Sequence, residues 1–135
     1  MPWYHLILDL YGCKVEALRD KDGLERMFVD LSKLMGIRLI TDPKIIYYAG
    51  GEGSPSGEGL SGFAIIAESH ISIHTEIRSR YASIDIYSCK EFDVSSVERY
   101  LVDAFEAREV EKRFIVRGGL TPIKRDEKRF EEVSY

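Results

Sequence analysis

Residues 70–76, HISIHTE, and residues 81–89, YASIDIYSC, decide how this chain folds. In the first, Ile71 and Ile73 alternate with His70, Ser72, His74 and Glu76. In the second, Ala82, Ile84 and Ile86 alternate with Tyr81, Ser83, Asp85, Tyr87 and Cys89. A two-residue period marks a strand with one apolar and one polar face. The gap between the segments is short, so they read as sheet neighbours joined by a turn. Polar groups that lose water without gaining partners cost free energy. A face this rich in His, Ser, Tyr and Asp is therefore either wet or functional, for instance packed on a second copy of itself around an active site.

The same reading extends outward. SGFAIIA (61–67) is a third strand. Near the N-terminus Leu6, Leu8 and Leu10 alternate with His5, Ile7, Asp9 and Tyr11, a half-buried first strand. DKDGLERMFVDLSKLMG (20–36) spaces Leu24, Met27, Phe28, Leu31, Leu34 and Met35 as a helix, with Gly36 as its stop. IRLI (37–40) and KIIYY (44–48) read as a strand interrupted or bent at Asp42-Pro43. Ser95 and Glu98 have capping-box spacing and open a second helix that buries Val97, Leu101, Ala104 and Phe105. A last strand lies near EKRFIV, residues 111–116. The expected fold is α+β: a two-layer sandwich whose antiparallel sheet carries two helices on one face. Residues 1–120 form the expected single domain, and 121–135 a loosely held C-terminal tail.

Composition narrows the function. A chain of 135 residues suits one core and leaves no room for a separate cofactor-binding domain. Any cofactor is small, or made from the chain itself. A net charge of −4, with bases scattered among acids as in EAREVEKRF (106–114), argues against nucleic acid as partner. The N-terminus lacks a basic leader and is too short to span a membrane. Cys13 and Cys89 have neither metal-ligand nor disulfide-framework spacing, so reduced thiols and a cytoplasmic location are expected. His70 and His74 at i,i+4 sit too far apart on a strand to share one ion, so no metal is expected. The Gly-rich loop at 49–59 lacks a following Gly-Lys-Ser/Thr and reads as a long flexible loop rather than a phosphate cradle.

Singly, the candidate residues have plain alternatives: a hydrogen-bonded strand histidine, a small buried thiol, a turn serine. Ser69 is also out of phase with His74, since a five-residue offset points it to the opposite face. An irregular backbone at 68–70 removes the conflict, and such irregularity is common beside catalytic groups.

Together, Glu68-Ser69-His70, Ile73-His74-Thr75, Tyr81-Ala82-Ser83-Ile84-Asp85 and a cysteine twenty residues after Ser69 resemble the prokaryotic class of S-adenosylmethionine decarboxylase, a pyruvoyl-dependent family. The resemblance implies a proenzyme of about this length, self-cleaved between Glu68 and Ser69, that works as a homodimer of cleaved protomers. It implies that the Ser69 hydroxyl attacks the preceding carbonyl and that the residue becomes a pyruvoyl group. It assigns His74 and Ser61 to processing. The pyruvoyl carbonyl forms a Schiff base with the substrate amine, and Cys89 is the proton donor to the substrate; a free thiol, with a pKa of about 8.5, holds its proton at neutral pH. The product is the aminopropyl donor for spermidine synthesis. Where the family continues His-Thr-Trp-Pro-Glu, this chain has His74-Thr75-Glu76-Ile77-Arg78. The adenine and ribose contacts therefore fall to other residues, and Tyr47, Tyr48 and Glu76 are the candidates by position. The altered segment leaves two other readings open: a pyruvoyl decarboxylase acting on arginine or ornithine, and a non-catalytic, uncleaved homologue.

Overall fold

The computed structural model describes residues 2–53 and 57–119. Among these residues six strands form one antiparallel sheet, and three helices, not two, lie on one side of it. The strands are β1 (Trp3–Tyr11), β2 (Lys44–Tyr48), β3 (Gly59–Ile66), β4 (Ser69–Glu76), β5 (Tyr81–Ser88) and β6 (Glu109–Arg117); the helices are α1 (Val15–Arg19), α2 (Lys21–Met35) and α3 (Val94–Phe105). The sheet order is β2-β3-β4-β5-β1-β6. The expected tail at 121–135 lies outside the described residues.

The alternation in the sequence becomes the two faces of the sheet. Leu6, Leu8 and Leu10 pair with Ile86, Ile84 and Ala82, and Ile71 and Ile73 with Ile86 and Ile84. All are at most 1% exposed. They meet Leu24, Phe28 and Leu31 of α2 and Val97, Leu101 and Phe105 of α3. Each such side chain contributes about 1.5–3 kcal/mol by leaving water. Leu34, in phase with this stripe, is instead 43% exposed at the rim.

Local expectations moved where short-range chemistry outweighs pattern. α1 has five residues, too few to show a helical period, and it ends at Asp20, whose carboxylate caps α2 by accepting from the Gly23 amide at 2.9 Å. Gly36 closes α2 with φ +67°, a conformation that favours glycine. The α3 cap is Asp93, not Ser95. Its carboxylate accepts from the Ser95 and Ser96 amides, at 3.1 and 3.4 Å, and from the Ser96 hydroxyl at 2.6 Å. Those bonds hold the Asp93 carboxyl below its usual pKa, the Ser96 hydroxyl most of all. A charged acceptor at the helix's positive end outcompetes a serine two residues on. Glu98 instead pairs with Lys112 of β6 at 3.0 Å. IRLI is not a strand. Leu39 makes a single bridge to Ile66, and regular pairing starts after Pro43, which offers no N–H to a ladder.

Gly59 allows β3 to approach β4 closely. A Cβ there would sit 1.8 Å from the Thr75 carbonyl oxygen. Thr75 is also the local anchor: its hydroxyl accepts from the Leu60 amide and donates to the Leu18 carbonyl, both at 2.9 Å. Gly59→Ala is therefore expected to cost about 3 kcal/mol by overpacking and to lower the thermal midpoint by about 10 °C. A melt within 3 °C or so of the parent would contradict this.

Candidate active site

The helix-free face carries the polar side chains of β4 and β5 that the strand alternation assigned to it, while Cys89 lies one residue past the end of β5. Across the sheet these groups fall into two clusters.

The first cluster surrounds the turn between β3 and β4. Pairing runs to Ile66 opposite Ser69, so only Ala67 and Glu68 form the turn. Ser69 has φ +123°, a region a residue with a side chain adopts only under constraint from its surroundings. On a regular strand Ser69 and His70 would point to opposite faces. Here the Ser69 Oγ lies 3.4 Å from His70 Nδ1. The left-handed backbone thus turns the hydroxyl toward the polar face and removes the phase conflict. Beyond the end of β5, the Cys89 amide donates to the Glu68 carbonyl oxygen at 3.4 Å. The 68–69 peptide, the Ser69 hydroxyl and Cys89 are therefore neighbours. Of the two thiols, Cys13 is fully buried and pushed up to about 11 by desolvation, whereas Cys89 is partly exposed.

The second cluster lies further along the same strands. Ser61 and His74 are register partners, joined at 3.0 Å between Oγ and Nδ1. They line a hollow of about 130 Å³ with Tyr48, Gly57, Glu76 and Tyr81. Glu76 accepts from the Ser79 hydroxyl at 2.8 Å. Tyr81 donates to Asp9; burial first, then that carboxylate, pushes the phenol up to about 12, so it remains a donor. His74 also borders a second hollow of about 250 Å³, with Asp9, Ser72, Ser83 and Asp85.

The two tyrosines proposed for adenine separate. β2 alternates, so Tyr48 faces the hollow, while Tyr47, paired with Leu60, faces the helix side. There Tyr47 donates to Glu58, which also meets Arg19 at 3.3 Å. In the altered segment Ile77 is buried and Arg78 lies against Gly57.

Sequence reasoning did not single out His5. Its Nε2–H donates to Asp85, and Arg117 donates to its Nδ1 at 3.3 Å. The alternation of β1 put His5 on the correct face. Only the pairing of β1 with both β5 and β6 reveals its partners.

Along β4, Ser69 and His74 are five residues apart, about 16 Å. The structure thus brings Glu68, Ser69 and Cys89 together, and Ser61 with His74, Tyr48 and Glu76, but it does not join the two sets within one protomer. Exposed apolar groups cover the same face, among them Ile46, Phe63, Ile65 and Ile115 at 41–54% exposure.

A family model described as S-adenosylmethionine decarboxylase matches residues 4–118. Proteins named S-adenosylmethionine decarboxylase proenzyme are similar to this chain. One from Bacillus velezensis is 34% identical over 116 residues, 84% of each chain. One from Clostridium botulinum is 35% identical over 116 residues, 85% of this chain and 93% of that one. One from Methanococcus maripaludis is 41% identical over 87 residues, and the match spans 64% of this chain and 65% of that relative's length. The crystal structure of the adenosylmethionine decarboxylase from Aquifex aeolicus superposes with a TM-score of 0.72 over 92% of this chain and 97% of that one, at 23% identity. It shares the fold.

Proposed function

The chain belongs to the S-adenosylmethionine decarboxylase family, and on that premise we infer that it cuts itself between Glu68 and Ser69 and decarboxylates S-adenosylmethionine to the aminopropyl donor for spermidine synthesis. The observation that carries this reading is the turn at 67–69. It sets a hydroxyl on the polar face, where it can close a five-membered ring onto the carbonyl carbon of the peptide it must attack, with an N–H already on that peptide's carbonyl.

In the first step the Ser69 Oγ bonds to the Glu68 carbonyl carbon, and the Cys89 amide stabilises the oxyanion. Collapse replaces the amide by an ester. Loss of the Ser69 α-proton then expels the Glu68 carboxylate, and hydrolysis leaves a keto terminus at position 69. That pyruvoyl group supplies a carbonyl that condenses with the substrate α-amine and takes up electrons as carbon dioxide leaves. Cys89, beside the new terminus, holds the proton delivered to the substrate α-carbon.

The two clusters support a homodimer. A two-fold axis through the helix-free face, between the clusters, sets Ser61 and His74 of one protomer against Ser69 and Cys89 of its partner, twice per dimer. Burial of Ile46, Phe63, Ile65 and Ile115 would drive the association. The second copy also enlarges the site. Ligand pockets commonly run about 300–1,000 Å³, so a 130 Å³ hollow holds no nucleoside-sized ligand by itself. In the completed site Tyr48 is the aromatic wall for adenine and the sulfonium, and Glu76 the acceptor for the ribose hydroxyls. Tyr47 is the weaker of the two tyrosine candidates, since it faces the helix side.

Intact mass spectrometry of the purified protein should find fragments 1–68 and 69–135, the second beginning with pyruvoyl. Carboxyl-labelled S-adenosylmethionine should then release labelled carbon dioxide at a rate at least tenfold above arginine, ornithine or lysine. A cut chain that prefers one of the amino acids would reassign the substrate. A chain found only whole would make it a non-catalytic homologue.

A further inference from the structure

Where β4 turns into β5, Arg78 and the Arg19 of α1 line a hollow of about 510 Å³ with Glu58, Ile77, Gly50 and Gly57. No step proposed above uses either arginine. Their charges are unequally matched. Glu58 meets Arg19 at 3.3 Å and accepts from the Tyr47 hydroxyl. Those partners, Tyr47 first, hold its carboxyl below the usual range, so it stays an anion. No ion pair among the described residues involves Arg78. Two fixed cations thus face one carboxylate, on a chain whose net charge is −4.

Arg78 lies instead along bare backbone. A Cβ at Gly57 would have the guanidinium Nη2, Cζ and Nε at 3.3, 3.5 and 3.7 Å. Gly57 and Gly50 both have φ +77°, and a Cβ at Gly50 would sit 2.8 Å from the Gly57 carbonyl carbon. The two ends of the loop therefore touch backbone to backbone, and this wall carries no side chain. A peptide wall opposite two guanidinium forks suits a compact oxyanion, phosphate above all, because the forks match its oxygens in pairs. Arg19 and Tyr47 lie on the helix side, so a dimer formed through the helix-free face leaves the hollow open.

We propose that this hollow binds phosphate, free or as the phosphoryl group of an ester, through Arg78 and Arg19, and that its occupation tightens the neighbouring substrate hollow. Gly57 is the link, since it lines both this hollow and that of Ser61, His74 and Tyr48. Glu76 of the substrate hollow and Arg78 also flank one buried residue, Ile77. An anion that fixes Arg78 against Gly57 therefore steadies both walls. A wall fixed beforehand costs the substrate less to order. The binding stands apart from the decarboxylase reading; the coupling rests on it.

Titration calorimetry with sodium phosphate at fixed ionic strength should find one site per chain, with a Kd of about 1 mM or below. Arg78→Gln and Arg19→Gln should each weaken it about tenfold or more. Arg99→Gln removes the same charge from α3 and should leave the Kd within about twofold. Glycerol 3-phosphate binding about tenfold tighter than phosphate assigns the site to an ester, and equal binding assigns it to the free ion. On the cut protein, saturating phosphate should lower KM for S-adenosylmethionine about threefold at unchanged kcat, and R78Q should lose that response. A phosphate Kd above about 20 mM overturns the site. So does R78Q binding within about twofold of the parent, or R99Q losing as much as R78Q. Phosphate that binds through Arg78 yet leaves KM of an active enzyme unchanged overturns the coupling. A chain that binds phosphate through Arg78 but never decarboxylates upholds the site and defeats the decarboxylase reading, with the coupling.

Discussion

A Ser69→Ala chain stays in one piece and releases no carbon dioxide from S-adenosylmethionine, its rate falling below about one ten-thousandth of the parent's. The substitution removes one oxygen atom, and in the proposed reaction that oxygen is the nucleophile. Without it the 68–69 peptide keeps its ordinary stability, no keto terminus forms, and the substrate carbanion has no electron sink. The fold should survive. Ser69 already holds φ +123°, alanine meets the same backbone constraint, and among the described residues the side-chain hydrogen bond lost is the one to His70. Size-exclusion and thermal unfolding should therefore match the uncut parent, which separates lost chemistry from lost structure. Ser69→Cys is the informative companion. A thiol attacks the same carbonyl and its thioester eliminates to the same unsaturated residue, so this chain should still be cut. Intact mass and a carbon dioxide trap read both variants. A severed S69A chain, or a whole one that decarboxylates, removes the pyruvoyl account.

Most of the sheet was legible because alternation is a local property. β1, β3, β4 and β5 could be read residue by residue, and with them the polar face. α2 was equally plain, its stripe ended by Gly36. What escaped depends on contacts between distant segments. That β1 lies between β5 and β6 is not written in any one stretch, so the His5–Asp85–Arg117 group had no sequence signal. Tyr47 and Tyr48 were equivalent until pairing with β3 assigned them opposite faces. The α3 cap shows the opposite error. A familiar four-residue pattern at Ser95 hid a stronger acceptor two residues earlier. At Ser69 alternation alone gives the wrong face, and the mismatch itself marked the irregular turn.

A mixed dimer of S69A and H74N chains regains what neither forms alone. Each variant by itself should remain unprocessed or stall as an ester: the first has no nucleophile, the second lacks the imidazole of the Ser61–His74 cluster. If all catalytic groups acted within one protomer, co-expressing the two would change nothing, since each chain would keep its own defect. The 16 Å or so of separation on β4 predicts otherwise. In the mixed dimer, one site combines the S69A and H74N substitutions and is dead twice over. The other contains Ser69 and Cys89 of the H74N chain, facing the intact Ser61 and His74 of the S69A chain. Random pairing makes about half of the dimers mixed, each with one competent site, so about a quarter of the parent activity should return. The mass spectrum adds a sharper signature. Only the H74N polypeptide should be found cut, although it is the one that lacks the histidine proposed for processing. Dissociation at low protein concentration should abolish decarboxylation without undoing the cut. If co-expression leaves both chains whole and the mixture inactive while size-exclusion shows dimers, the two clusters do not meet across the helix-free face, and His74 must reach Ser69 by a rearrangement within its own protomer.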